Sequence, residues 1–143
     1  MDGKPIPSPN CPAAIGGGAF LVTNDHGVKV GWKKQLEPVI GGGTVAYCSN
    51  TGACHTTSLL ASINIRKNLK FPNGLARGDD GLFYVPSSAD RAVKVFSLRL
   101  NQTLTQLHTI RVGMPLDNIS PGVKGDLWVP GYEADVQGDG GTL

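Results

Sequence analysis

Four oxygen-bearing side chains, Asn10, Asn73, Asp117 and Asn118, fall at one phase of a recurring signal in this chain of 143 residues. Carboxamide and carboxylate oxygens brought to one point make a site for a hard cation, and Ca²⁺ takes about 6–8 such oxygens at about 2.3–2.6 Å. Neither His nor Cys stands at the equivalent positions, which argues against the N/S ligand sets of zinc. Asparagine also suits turns, because its side chain bonds nearby backbone and tolerates unusual dihedrals. Spacing alone leaves the ligand and the turn reading both open.

The signal that carries these residues is an internal repeat. Pro9-Asn10 leads through Ala13-Ala14-Ile15 and Gly16-Gly17-Gly18 to Phe20-Leu21-Val22. Pro72-Asn73 leads through Gly74-Leu75-Ala76 and Gly78-Asp79-Asp80-Gly81 to Phe83-Tyr84-Val85. Asp117-Asn118 leads through Ile119 and Gly122-Val123-Lys124-Gly125 to Leu127-Trp128-Val129. Each copy reads as a hairpin: an Asn-led strand, a Gly-rich turn and an apolar strand ending in Val. The copies start 63 and 45 residues apart, and the second interval matches the about 40–50 residues of a four-stranded propeller blade. The longer first interval places an insertion at Trp32–Gly43. Further strands are predicted at Ala19–Thr23, Thr44–Cys48, Thr56–Ile65, Leu82–Pro86, Ala92–Leu98, Leu104–Val112 and Asp126–Val129, and no segment holds a sustained helical period.

The expected fold is therefore all-β, a propeller with about three blades in residues 1–143, starting near 10, 73 and 118, and with a frayed tail at 135–143. In a propeller the first strand of each blade runs near the central axis, so the repeated polar residues would point at one axial position. Blades complete only as a closed ring of about four to eight. Three blades leave open edges, from which self-association is expected. The alternative is a β-sandwich with Gly-rich hairpins.

Composition agrees with sheet. The chain has 20 Gly and 10 Pro, too many turn-formers for long helices. Its net charge of +2 is scattered, without a basic stripe, so nucleic acid is not an expected partner. No apolar run approaches the about 18 residues of a membrane helix, and Met1–Pro5 carries no signal-peptide core. Location is expected to be secretory or extracellular for a truncated product and cytoplasmic otherwise. Cys48 and Cys54 flank a turn-rich segment, where a disulfide across a hairpin, free thiols, or a zinc site with His55 are the alternatives. Asn101-Gln102-Thr103 is a glycosylation sequon in a loop; Asn118-Ile119-Ser120 fits the pattern too, but an axial residue would not be accessible.

Phe71-Pro72-Asn73-Gly74-Leu75-Ala76, Asp117-Asn118-Ile119-Ser120, Gly125-Asp126-Leu127-Trp128-Val129, and Ser8-Pro9-Asn10 followed by Thr23-Asn24-Asp25-His26 together resemble the paraoxonase/arylesterase family. That family sits among the senescence-marker-protein-30/gluconolactonase-like propellers. The resemblance spans about Ser8 to Gly131. It implies a six-bladed propeller with two calcium ions in its tunnel, hydrolysing lactones, aryl esters or phosphotriesters. Carried over by position, Asn10, Asn73, Asp117 and Asn118 match ligands of the catalytic Ca²⁺. Cys11 stands where an Asp would bind the structural ion, and soft sulfur is a poor exchange for a charged oxygen. His26, preceded by Asp25, matches a histidine lining the active-site region, either as general base or water-positioner or as a residue that orients its neighbours. His55 and His108 match nothing in the family. Pro130-Gly131-Tyr132 replaces a His-containing turn.

The family's Glu-Asp pair and histidine dyad belong to blades upstream of Asn10, and its ring-closing strand to a later one. This chain alone is therefore expected to have little or no hydrolase activity. The expected function is a calcium-dependent esterase or lactonase acting on small molecules. The alternative is a non-enzymatic propeller-type binding or scaffold protein descended from such an enzyme.

Overall fold

The computed structural model describes residues 5–27, 41–57, 59–60 and 69–132. Eleven strands lie in these residues: β1 (Pro9–Gly16), β2 (Ala19–Asn24), β3 (Thr44–Cys48), β4 (Cys54–Thr56), β5 (Leu59–Leu60), β6 (Ala76–Arg77), β7 (Phe83–Ser87), β8 (Ala92–Leu98), β9 (Leu104–Arg111), β10 (Ser120–Pro121) and β11 (Leu127–Trp128). They form three sheets, ordered β1-β2-β3-β4, β5-β9-β8-β7-β6 and β10-β11. Apart from the parallel β5–β9 pair, all pairings are antiparallel. The inner strands β1, β6 and β10 stand side by side, β6 packing against both of the others. This is a partial β-propeller.

Residues 28–40, most of the expected insertion, and the tail 135–143 lie outside the described residues, as does most of the strand expected at Thr56–Ile65. The strand β1, expected as the Asn-led strand of the first hairpin, carries prolines at 9 and 12. It is the terminal strand of its sheet, where a missing N–H breaks no ladder on the open side, and its register shifts between Pro9 and Pro12.

The core forms between sheets, and the pleat decides which side each residue serves. Ala13, Leu21, Val45, Leu69, Leu75, Phe83, Val85, Phe96 and Leu104 bury against one another between the first and second sheets. Ala76, Val93, Leu116 and Ile119 do so between the second and third, with Tyr84 and Leu127 packed on them. Neighbours Leu75/Ala76 and Phe83/Tyr84 thus go to opposite sides, as successive residues of a strand must. The middle sheet is covered on both faces, so β8 is apolar along both, unlike the exposed outer half of β9. In the first sheet, Cys48 and Cys54 are bonded to each other across the β3–β4 hairpin. Of the three arrangements open to these cysteines, the disulfide is the one formed, and Cys11 is a free thiol.

The β6–β7 turn is held by Asp80, whose carboxylate accepts from the Leu82 N–H at 3.0 Å and the Tyr84 hydroxyl at 2.7 Å. The Tyr84 hydrogen bond, helped by the Leu82 amide, holds the Asp80 carboxyl below its ordinary range, and the same contact pushes the Tyr84 phenol up. The β8–β9 turn carries Asn101, exposed, its Oδ1 accepting from the Thr103 hydroxyl at 2.7 Å.

Truncating Phe96, buried in the cluster between the first two sheets, to Ala should lower unfolding free energy by about 3–5 kcal/mol. Leu100→Ala, at a fully exposed position, should stay within about 0.5 kcal/mol. Urea denaturation of both variants checks the contrast. The Asp80–Tyr84 pair should stabilise fully at neutral pH. With the carboxyl depressed, its contribution is lost as pH falls through the folded Asp80 value; with the phenol raised, it is lost again as strong alkali ionises Tyr84. Unfolding midpoints measured against pH should show Tyr84→Phe lacking the alkaline loss and keeping only the smaller acid loss that the Leu82 amide sustains.

Candidate functional site

The side chains that open the three inner strands meet. Asn10 Nδ2 donates to Asn73 Oδ1 at 3.1 Å, and Asn73 Nδ2 donates to Asp117 Oδ1 at 2.9 Å. Residues 63 and 44 positions apart in the chain therefore form one continuous polar row. Asn73 and Asp117 are half-buried and Asn10 is exposed. Asn118 also lies at this end of the third sheet, but its side chain is exposed and hydrogen-bonds to no described residue. That exposure departs from the expectation that an axial position would seal Asn118 from solvent.

Backbone anchors explain the convergence. The Asn73 N–H donates to Pro86 O and the Asp117 N–H to Pro130 O, so each polar residue is tied to the second strand of its own hairpin. Pro72 pairs with Ser87 and Leu116 with Gly131 as isolated bridges. Gly74 is required by proximity: at its φ of +140°, a Cβ would lie 3.0 Å from the Ile119 nitrogen and 3.1 Å from the Asn118 Cα. Only a residue without a side chain lets the Asn118-Ile119 backbone pass so close to Asn73.

Beside the row stands Cys11, a free thiol. Its thiol donates to Leu75 O at 3.6 Å, and its N–H donates to Thr23 Oγ1 at 3.2 Å. It thus joins β1 to the chain entering β6 as a packing residue.

Asp25 and His26 follow β2. The His26 ring is buried and lies 5.2 Å from the Phe71 ring, tilted at 59°. Phe71 is two residues before Asn73, so this contact fixes the histidine next to the strand entrance that carries the polar row. Asp25 Oδ1 is a buried atom with no hydrogen-bond donor among the described residues. Such an orphaned carboxylate oxygen costs about 1–3 kcal/mol unless something else approaches it. His55 is half-buried with its ring 5.4 Å from that of Tyr47, and His108 is exposed on β9. Neither joins the row.

Two supports escaped the sequence. Asn24, 1% exposed, accepts the Ser8 N–H at 2.8 Å and donates to His26 O at 2.7 Å and to Thr44 Oγ1 at 3.3 Å. One carboxamide therefore ties the start of β1, the histidine segment and β3 together. The buried Ser88 hydroxyl donates to Leu116 O, locking the second sheet to the residue before Asp117. The Asn24 side chain serves the backbone, which a motif of polar residues does not announce.

Among the described residues no cluster of three or more His, Cys, Asp or Glu side chains could hold a metal. The donor set that the row offers is one carboxylate and carboxamides. Rotating an amide about its last torsion exchanges its N and O, so Asn10 and Asn73 can turn oxygen towards Asp117. This chemistry fits a hard cation such as Ca²⁺.

Serum paraoxonase/arylesterase 1 of Mus musculus is 31% identical over 126 residues, covering 87% of this chain. The Rattus norvegicus protein of the same name is 30% identical over 128 residues. The chain belongs to the paraoxonase/arylesterase family. It spans about a third (34%) of the length of these curated relatives. No protein-family model matches the chain. Among solved structures, a candidate gluconolactonase superposes with a TM-score of 0.66 at 21% identity, covering 92% of this chain and 44% of that one. The periplasmic gluconolactonase of Pseudomonas aeruginosa superposes with a TM-score of 0.58 at 13% identity, over 86% of this chain and 36% of its own. At these identities the likeness establishes the propeller fold that the paraoxonase/arylesterase stretch shares. No helix among the described residues is long and apolar enough to cross a membrane.

Gly74→Ala should disturb the site through backbone alone. The strained φ and the contact with Asn118-Ile119 should cost about 1–3 kcal/mol. Thermal unfolding reads the loss, and the Asn118 and Ile119 amide resonances should move most.

Proposed function

We propose that this chain forms the part of a calcium-dependent esterase or lactonase that gathers Asn10, Asn73, Asp117 and Asn118 around the catalytic ion. The observation that carries the reading is the hydrogen-bonded row Asn10–Asn73–Asp117, three oxygen-bearing side chains brought to one point from β1 and from the segments that lead into β6 and β10. Its names come from relatives called paraoxonase/arylesterase and neighbours called gluconolactonase. Lactones and aryl esters are the proposed substrates. Bound there, Ca²⁺ would act as a Lewis acid towards the carbonyl or phosphoryl oxygen of a substrate.

The chain's own residues have defined tasks in this reading. Asp117 supplies the one formal negative charge of the four, and the carboxamides supply neutral oxygens. Asn118 completes the set from its exposed position two residues before β10. His26, held against Phe71, positions water or takes its proton, and Asp25 offers its unpartnered oxygen to the same region. Cys11, engaged with Leu75 O, gives a second, structural ion no carboxylate. The Cys48–Cys54 disulfide favours a secretory or extracellular setting.

With a single carboxylate among the ligands, calcium should bind weakly, with Kd on the order of 10⁻⁴–10⁻³ M. Isothermal titration of the purified chain should give heat that disappears in an Asp117→Ala/Asn118→Ala double variant whose unfolding midpoint is retained. Absence of calcium heat from the unaltered chain would overturn the ligand assignment. Calcium-dependent phenyl acetate turnover by a longer chain carrying the remaining blades should fall by about 10²-fold or more in Asp117→Ala, as expected when charge stabilisation of the reacting oxygen is removed. Calcium binding without any turnover in that chain would instead favour the non-enzymatic binding or scaffold reading.

A further inference from the structure

We propose that Arg91 makes the cleft beside the polar row selective for substrates bearing a carboxylate on an otherwise apolar or aromatic body. The inference rests on the hydrolase reading for the reaction, but the recognition it describes is independent of calcium.

The cleft has a volume of about 360 Å³ and is lined by Phe71, Ser88, Ala89, Arg91, Pro115 and Tyr132. This is the size range of a site for a small molecule, about 300–1,000 Å³. Phe71 and Pro115 each stand two residues before a member of the row, Asn73 and Asp117, so the cleft opens at the entrances of the two inner strands that carry them. The Phe71 ring also touches His26. Its walls are apolar or aromatic at four positions, and Ser88 already donates its hydroxyl to Leu116 O. Arg91 is the one charged residue in the lining.

The guanidinium has no carboxylate partner among the described residues. Its single hydrogen bond is from Nη1 to Gly113 O, at 3.5 Å. The adjacent carboxylate, Asp90, is engaged elsewhere: Lys94 Nζ lies 3.0 Å away, Lys70 Nζ 4.0 Å, and the Ser87 hydroxyl donates to it at 3.1 Å. Four of the five guanidinium N–H donors therefore remain for a ligand, in the fork geometry that matches a carboxylate. A Lys could not present that geometry.

The backbone that carries Arg91 is held at three points. Its N–H donates to Ser88 O, and its carbonyl accepts from the N–H groups of both Val112 and Gly113. Its φ of +52° is uncommon for a residue with a side chain. The position is thus a fixed corner between the Ser88–Asp90 turn and β8, and a cation fixed at a cleft rim loses less freedom on binding than one on a mobile loop.

The test uses the 143-residue chain in calcium-free buffer at low salt, with 3-phenylpropanoate and the neutral 3-phenylpropanamide as probes in NMR titrations. The carboxylate should bind about five- to tenfold more tightly than the amide, the discrimination expected of a charge-assisted hydrogen-bonded pair. The difference should vanish in Arg91→Gln and in Arg91→Gly, the second of which tolerates the positive φ and so keeps the turn. Equal affinities in the unaltered chain, absence of binding by both probes, or a carboxylate preference that survives both variants would each overturn the proposal. None of these outcomes bears on the calcium heat, and loss of the hydrolase reading would leave an Arg91-dependent preference standing.

Discussion

The side-by-side packing of β6 between β1 and β10 is the contact on which the molecule depends. β6 is two residues long, yet its approach sends Leu75 into one hydrophobic cluster and Ala76 into the other. A strand can serve two layers only because its side chains alternate between faces. The same approach carries Asn73, three residues before it, between Asn10 and Asp117. Core formation and assembly of the polar row are therefore one event. Any change that separates the inner strands must break both.

Gly74 sets how near those strands can come, and the anchors behind them set their angle. Ser88 reaches Leu116, Arg77 donates to Ile15 O at 2.7 Å, and the Cys11 thiol reaches Leu75 O. Each links one sheet to the next through a backbone carbonyl, so the links hold main chain and leave the functional side chains free. The row is held differently. Its members bond to one another through carboxamides that can exchange donor for acceptor by rotation, which gives a rigid scaffold with a locally adaptable set of oxygens. Rigid strands carrying rotatable oxygens suit a large cation of flexible coordination better than a metal of strict geometry.

The hairpin repeat was legible because its turns and its apolar alternation are local properties. Asn10, Asn73 and Asp117 could be singled out by their common phase, without knowledge of a single distance. Strand β1 was legible only through the repeat, because Pro9 and Pro12 weaken its own strand signal until it is known that the strand terminates its sheet. Asn24 and Ser88 were hidden for another reason. Their partners, Ser8, Thr44 and Leu116, are remote in the chain, and no residue pattern marks which buried polar group will meet which carbonyl.

What the sequence determined by itself is the succession of hairpins, the phase at which oxygen-bearing residues recur, and the disparity between a repeated apolar core and a scattered charge. These follow from turn chemistry and the two-residue period of a strand. The tertiary structure alone decided that Asn10, Asn73 and Asp117 meet in one row, that Asn118 faces solvent, that the Cys11 thiol turns to Leu75, and that Arg91 stands at a cleft with no carboxylate partner among the described residues while its neighbour Asp90 is claimed by two lysines. The row and the Cys11 contact join residues of different sheets or turns. Their geometry exists only after the sheets have packed, because side-chain reach is a few ångströms and chain separation tens of residues.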